Sequence, residues 1–248
     1  MKTVIDFNPE GLMKDCTLRD VTAGYGRRMV LHHLTARLPG SGVTAIIGPN
    51  GSGKSTLLGV LAGIVKPARG GVERGGADRP AFVVQRSAVS DALPITVRET
   101  VAMGRWARRG PWRRLSKQDW SVVDACMARL GVLDLASRQL GALSGGQRQR
   151  ALVAQGLAQE SGLLLLDEPA TGLDLDAQRH VRDVLDSVKA SGVTVVHATH
   201  DLDTAMRADH CLLLDQGRLV AEGPPAAVLT SETLRQVFRD PLRAASQA

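Results

Sequence analysis

The chain has 248 residues, 44% of them apolar and 23% charged, and carries a formal net charge of +6. This size suits one globular domain with a substantial core, and no apolar run approaches the roughly 18–20 residues that a membrane-spanning helix needs. Aromatic residues make up only 3% of the chain, so the base-stacking surface of a nucleic-acid-binding module is not expected, and we predict no nucleic-acid partner.

The N-terminal residues and the cysteines bear on the cellular compartment. Residues 1–15 lack the apolar core of a secretory signal. Cys16, Cys126 and Cys211 stand far apart, without the spacing of a metal site or of a disulfide framework. The sequence therefore predicts a protein of the reducing cytoplasmic compartment.

Short apolar runs alternate with helical patterns along the chain, which is typical of α/β architecture. Five of these runs are apolar almost throughout, as in strands of a parallel sheet that is covered on both faces. The predicted strands are residues 43–47, 81–84, 163–167, 193–198 and 211–215, and the predicted helices are 54–62, 147–157 and 174–190.

Two segments depart from this alternation. Between the second and third predicted strands, mostly helical stretches rich in Arg predict a helical subdomain inserted at about 87–160. The last segment, from about 224 to 248, predicts a short helical tail. We therefore expect a single domain over 1–248 that contains one inserted subdomain.

The segment GPNGSGKST follows the first predicted strand and matches the phosphate-loop pattern G-x-x-x-x-G-K-[ST]. Its glycines let the backbone wrap an anion, and the following helix start adds a partial positive charge. We expect Lys54 to reach the β- and γ-phosphates of a nucleoside triphosphate and Ser55 to ligate Mg²⁺. The residues assigned to the nucleotide are Gly48, Asn50, Gly51, Ser52, Gly53, Lys54, Ser55 and Thr56.

An acidic pair and a histidine follow two later strands. Asp167 and Glu168 come where the strand LLLLD ends, so Asp167 is expected to hold Mg²⁺ and Glu168 to act as the general base toward water. His200 follows the strand VTVVHA and is assigned to the γ-phosphate. His197 faces the other side of that strand, so we predict a packing role for it and no metal site.

A second candidate anion site lies at LSGGQ. Because glycine weakens a helix interior by roughly 1 kcal/mol relative to Ala, we expect Gly145 and Gly146 just before a helix that starts at Gln147. A helix start with small residues suits an anion, although the phosphate loop already provides one such site.

In this order along the chain, GPNGSGKST, Gln85, LSGGQ, LLLLDEP, TGLD and His200 resemble the ATP-binding cassette ATPases, and the likeness runs from about residue 16 to 238. The resemblance implies a P-loop core with a mostly parallel sheet, an N-terminal antiparallel β subdomain and an inserted helical subdomain. It also implies ATP and Mg²⁺ as cofactors.

The resemblance further implies a head-to-tail homodimer, in which Ser144, Gly145, Gly146 and Gln147 complete the partner's site. Splitting a site between two chains makes hydrolysis depend on closure of the dimer. Integral membrane permease subunits and an extracytoplasmic substrate-binding protein are implied as further partners, with this chain at the cytoplasmic face of the plasma membrane.

Individual roles also follow from the resemblance. Tyr25 in AGYG resembles the aromatic residue that stacks on adenine, Gln85 the residue that senses Mg²⁺ and the γ-phosphate, and Asp174 the residue that contacts the opposite site. The implied catalytic residues are Glu168, His200, Gln85 and Lys54, and the implied Mg²⁺ ligands are Ser55, Gln85 and Asp167.

Residues 83–120 resemble the manganese, zinc and iron importer ATPases, so zinc or manganese import is the expected function. The ATPases of ferric-siderophore, haem and cobalamin importers share much of this segment and remain the alternative. A soluble ATPase of iron–sulfur cluster assembly is a more distant one, and a P-loop kinase would leave LSGGQ and His200 without roles.

A cluster of basic and aromatic residues lies within the same segment. We expect this cluster to be a solvated surface. The alternative is that it lies near the inner leaflet of the membrane or near the permease. Its members are Arg105, Trp106, Arg108, Arg109, Trp112, Arg113 and Arg114.

Overall fold

The computed structural model describes residues 14–76, 79–84, 94–110, 112–170 and 172–238. Its strands are β1 Cys16–Tyr25, β2 Arg28–Leu38, β3 Val43–Ile47, β4 Arg69–Glu73, β5 Ala81–Val83, β6 Leu163–Asp167, β7 Thr194–Thr199, β8 His210–Asp215 and β9 Arg218–Gly223. Its helices are α1 Lys54–Leu61, α2 Val97–Met103, α3 Trp106–Arg109, α4 Lys117–Arg129, α5 Gly145–Leu157, α6 Leu175–Ala190, α7 Leu202–Met206, α8 Pro225–Val228 and α9 Ser231–Val237. Within these ranges no helix combines the length and apolarity needed to cross a bilayer.

The larger sheet has the strand order β5-β6-β7-β3-β8-β9 and is parallel except for β9, which pairs antiparallel with β8. This confirms the α/β class and the mostly parallel sheet. Because parallel strands end at one edge, the loops that follow β3, β6 and β7 meet there. These are the loops that carry the predicted phosphate, acidic and histidine elements.

Helices cover both faces of this sheet, which is why its strands are apolar almost throughout. One face packs with α1 and the leucines of β1 and β2 in a single core cluster. On the other face, α5 and α6 pack in a second cluster, and α7 packs with β3 and β8 in a third.

The smaller sheet, ordered β2-β1-β4, is antiparallel and confirms the expected N-terminal subdomain. A turn between β8 and β9 joins it to the phosphate loop. Gly217 in this turn accepts a hydrogen bond from N–H of His32 at 2.9 Å and donates to the carbonyl of Ser52 at 3.0 Å. Gly217 has φ +75°, and a Cβ there would lie 1.7 Å from the carbonyl oxygen of Val30, so only glycine fits.

The helical insert packs around Arg105, which was wrongly expected to lie on a solvated surface. The Arg105 side chain bonds to Asp119 at 3.1 Å, to Glu160 at 2.6 Å and to the carbonyl of Ala158 at 2.8 Å, and the residue is only 5% exposed. Two carboxylates and a carbonyl replace the water that the guanidinium loses on burial. Arg105 therefore connects α3, α4 and the end of α5.

Of the other residues in the basic cluster, some form ion pairs and some are exposed to solvent. Arg108 pairs with Glu160 and Arg109 with Asp119, both from more exposed positions than Arg105. Arg113 and Arg114 are exposed, as is Trp112.

Candidate active site

A cavity of about 880 Å³ opens at the carboxyl edge of the parallel sheet, within the size range of ligand pockets. It gathers the phosphate loop, Glu168 and His200, which the sequence places far apart. The lining residues are Arg28, Val30, Pro49, Asn50, Gly51, Gly53, Lys54, Ser55, Thr56, Glu168, His200 and Phe238.

The phosphate loop depends on glycine where its backbone turns. Gly48 has φ +155°, and a Cβ there would lie 2.2 Å from the carbonyl oxygen of Leu214 in β8, so a side chain cannot be accommodated. Gly53 is the N-cap of α1, has φ +101°, and offers no side-chain cap. The first N–H groups of α1 are therefore left for an anion.

Lys54 is held in the loop by two backbone carbonyl groups. Its Nζ donates to the carbonyl oxygens of Gly48 at 2.8 Å and Pro49 at 3.1 Å, and the residue is only 6% exposed. Burial lowers the pKa of Lys54, while the charges of Glu168 and Asp167 act in the opposite direction. A triphosphate would provide the buried ammonium with strong anionic partners.

Asp167 and Ser55 together offer the oxygen donors that Mg²⁺ prefers. Burial raises the pKa of Asp167, and the hydrogen bond with the Ser55 hydroxyl opposes that rise. A buried carboxylate beside a hydroxyl, next to the phosphate loop, fits a hard divalent cation. Of the predicted Mg²⁺ ligands, Gln85 lies outside the described residues.

Glu168 has a left-handed backbone conformation that could not be predicted from the sequence. Its φ is +50°, an uncommon value for a side chain of this size, and its N–H donates to the carbonyl of Ala198 at 3.1 Å. Oε1 of Glu168 lies 3.4 Å from Nδ1 of His200. The mostly buried carboxyl group therefore faces a half-exposed imidazole at the rim of the cavity.

The LSGGQ helix begins two residues earlier than expected. Ser144 is the N-cap of α5, which starts at Gly145: Ser144 Oγ accepts from N–H of Gln147 at 3.3 Å, and Gln147 Oε1 accepts from N–H of Ser144 at 3.1 Å. This reciprocal capping offsets the cost of glycine in the first turn, so the prediction that the pair precedes the helix was wrong.

None of the residues from Ser144 to Gln147 lines the cavity of its own chain. Ser144 is exposed, and its hydroxyl can still donate its proton while accepting in the cap. Asp174 likewise lies outside the cavity, where it is exposed and caps α6 by accepting from N–H of Ala177 at 2.8 Å.

Arg28, Val30 and Phe238 line the cavity but were not predicted. Arg28 and Val30 are two residues apart in β2, so both lie on the same face of that strand. Tyr25, the predicted adenine contact, pairs with Arg28 in the β1–β2 register. Tyr25 is 58% exposed, at the end of β1 beside the cavity mouth. Proximity to Tyr25 was the available signal for Arg28, whereas no sequence pattern singled out Phe238.

His197, assigned to packing, is 4% exposed within β7, and burial lowers its pKa to about 4. Across the part of the chain that the structure describes, no group of three or more His, Cys, Asp or Glu side chains is placed to hold a metal ion.

Comparisons with known proteins agree with this geometry. The family model described as ABC transporter matches residues 31–171. The ferric enterobactin transport ATP-binding protein FepC of Escherichia coli is 38% identical over 231 residues, which cover 88% of this chain and 84% of that protein. The manganese transport system ATP-binding protein MntB of Bacillus subtilis is 36% identical over 227 residues, which cover 89% and 91%.

A solved structure of an inward-facing metal-chelate type ABC transporter superposes with a TM-score of 0.81 and 33% identity over 91% of this chain and 89% of that one. The phosphate loop and the acidic strand end lie within the residues that the family model matches, and the relatives and the solved structure cover most of the chain. The chain therefore belongs to the ABC transporter family and is an ATPase of that family.

Proposed function

We propose that two copies of this chain hydrolyse Mg-ATP at two shared sites and so drive import of a metal ion through a membrane permease. Each shared site combines the phosphate loop of one copy with the segment from Ser144 to Gln147 of the other. The observation that carries the proposal is the start of α5, which lies outside its own chain's cavity. There the N–H groups of Gly145 and Gly146 have no carbonyl partner within the helix, while that of Gln147 is capped by Ser144.

Within each site, the loop N–H groups and Lys54 hold the β- and γ-phosphates. Ser55 and Asp167 would hold Mg²⁺, which neutralises phosphate charge when bound. Glu168 accepts a proton from water as the water oxygen bonds to the γ-phosphorus. The bond from that phosphorus to the bridging oxygen breaks, giving ADP and phosphate, while His200 contacts the γ-phosphate from its position 3.4 Å from Glu168.

Three further residues are assigned by likeness to the family. Tyr25 stacks on adenine, consistent with its exposed position beside Arg28 at the cavity mouth. Asp174 contacts the opposite site from its exposed position at the start of α6. Gln85 senses Mg²⁺ and the γ-phosphate and transmits the nucleotide state to the permease.

Mixing two inactive variants tests the shared site. In a mixed dimer of Lys54→Ala and Ser144→Arg chains, one site carries both substitutions and the other carries neither. Half of the dimers in an equal mixture are mixed and each holds one intact site of two, so ATPase activity of up to about a quarter of the wild-type value is expected.

Each variant alone should be nearly inactive. The matched control is a mixture of the double variant Lys54→Ala/Ser144→Arg with an inactive Glu168→Gln chain, because no dimer in that mixture holds an intact site. Activity that never rises above that of the separate variants would favour a site built within one chain. Circular dichroism of each chain checks that neither substitution has prevented folding.

The proposed substrate is zinc or manganese, because the segment from residue 83 to 120 resembles that importer group. A relative named for manganese transport is 36% identical, which supports this assignment. A ferric-siderophore substrate is the second candidate, because a relative named for ferric enterobactin transport is 38% identical.

Elemental analysis of cells lacking this chain separates the two substrates. If zinc or manganese content falls and the wild-type gene restores it while Glu168→Gln does not, the metal is identified. If both contents stay normal and uptake of a ferric siderophore falls, the second candidate replaces the first.

We further propose that the dimer docks on permease subunits at the cytoplasmic face of the plasma membrane, in a system with an extracytoplasmic substrate-binding protein. Co-purification with a membrane permease is the expected result. Co-purification with a soluble scaffold would favour the iron–sulfur assembly alternative.

A further inference from the structure

A second cavity, of about 380 Å³, lies between α6 and α7 over the parallel sheet. His197 and Val43 line it from the sheet, and Val181, Leu185 and Ala208 from the helical side. It shares no lining residue with the nucleotide cavity. Its volume falls within the range of small-molecule pockets.

The cavity lies where α6 and α7 pack on the parallel sheet in different core clusters. α6 packs through Val181, Val184 and Val188 in one core cluster, whereas α7 contributes Ala205 to another. In the register of β3 and β7, His197 lies opposite Ala45, whose methyl group is too small to fill the space between the helices.

The polar group along the sheet side of this cavity lacks a partner. His197 Nδ1 has no hydrogen bond within the described part of the chain, although buried polar atoms are nearly always paired. Because burial lowers the pKa of His197 to about 4, its ring is neutral at physiological pH and has one donor nitrogen and one acceptor nitrogen. A polar atom of a bound molecule would satisfy it.

The charges around the cavity favour an anion. Arg182 and Arg207 line it, and neither has an ion-pair partner among the residues that the structure describes. Lys189 is already paired with Asp209 at 2.7 Å, and Asp186 is the acidic residue of the lining. Guanidinium groups of this kind bind carboxylates and sulfonates through paired N–H donors.

We propose that this cavity is a binding site for a small amphipathic anion, a carboxylate or sulfonate on a compact apolar body. The apolar body packs against Val181, Leu185 and Ala208. The anionic group binds Arg182 and Arg207. The site is separate from the nucleotide site, so it does not depend on the proposed roles of the residues that bind and hydrolyse ATP.

The test uses 2-naphthoate as the probe and 2-naphthamide as its uncharged counterpart, with binding to the wild-type chain measured by calorimetry. Naphthoate should bind at least about ten-fold more tightly than the amide, because a charge-assisted contact is lost in the amide. Saturating Mg-ADP should not displace it. Displacement by Mg-ADP would place the probe in the nucleotide cavity and overturn the proposal.

Two variants and a matched control locate the site. Arg182→Gln/Arg207→Gln should weaken naphthoate binding by about ten-fold or more, and Ala208→Leu should block it by filling the cavity. Arg179→Gln/Arg218→Gln removes the same charge from positions outside the lining and should leave binding unchanged. No binding to the wild type, or equal loss in the charge variant and its control, would overturn the proposal.

Discussion

Nδ1 of His200 lies 3.4 Å from Oε1 of Glu168, across the carboxyl ends of β7 and β6. The contact is longer than an ordinary hydrogen bond. Glu168 is the mostly buried partner and reaches this position through a backbone with φ +50°. A residue held in a sparsely populated conformation beside a histidine is the arrangement expected of a positioned general base.

The first prediction concerns Glu168→Gln. The amide keeps the shape of the side chain but cannot accept a proton, so turnover should fall by about 10²–10⁴-fold while nucleotide binding is retained. The variant should also accumulate as a dimer in saturating Mg-ATP, measured by light scattering. A monomer under these conditions would count against the shared site.

The second prediction concerns Gly48→Ala. The added Cβ would lie 2.2 Å from a backbone oxygen of β8, so the loop must shift and nucleotide binding should be lost. Gly76→Ala is the matched control, because Gly76 also has a positive φ, lies outside the cavity lining and has no heavy atom within 4 Å of the added Cβ. The control should cost about 1–2 kcal/mol of backbone strain, measured by urea unfolding, and keep binding. Equal affinity of the two variants for ATP would contradict the steric argument.

The third prediction concerns Arg105→Met. Removing the guanidinium leaves the buried Asp119 with only the more exposed Arg109 as a charge partner and takes a partner from Glu160, so the free energy of unfolding should fall by about 3 kcal/mol. Arg19→Met breaks a pair with Glu73 that is exposed on both sides, and should cost at most about 1 kcal/mol. Urea unfolding of both variants measures the difference, and equal losses would show that burial of the Arg105 pair carries no special weight.

The fourth prediction is a pH dependence set by His197. Its pKa is about 4 in the folded chain, against about 6.5 for an unfolded histidine, so between these values the unfolded chain binds more protons. The free energy of unfolding should therefore fall by up to about 3 kcal/mol as the pH drops from 6.5 to 4. His197→Gln should remove that contribution from the measured slope. An unchanged slope in the variant would exclude His197 as its source.

The parallel strands could be predicted from sequence because a strand covered on both faces must be apolar throughout. Residues 43–47 and 163–167 form strands with the expected bounds. β9 could not be found in this way, since it lies at the edge of the sheet and Arg218 and Glu222 flank only three apolar residues in it. The order of the strands in the sheet depends on crossover connections, which a local sequence pattern does not predict.

At the candidate active site, the residue types could be predicted but their surroundings could not. The phosphate-loop pattern identifies Lys54, because its chemistry requires that spacing. The positive φ of Glu168 and the burial of Arg105 depend on Ala198 and Glu160, partners far away in sequence, so they could be seen only in the folded chain. The start of α5 was misplaced because reciprocal capping between Ser144 and Gln147 outweighs glycine propensity.

The turn at Gly217 has a consequence for synthesis. The turn binds both Ser52 of the phosphate loop and His32 of β2, so the loop is supported by a segment made about 165 residues later. A nascent chain that has just completed GPNGSGKST therefore lacks this support, and we expect no nucleotide to be retained until the β8–β9 hairpin has left the ribosome. Premature termination before that hairpin should yield fragments that carry an intact phosphate-loop sequence yet fail to hold ATP.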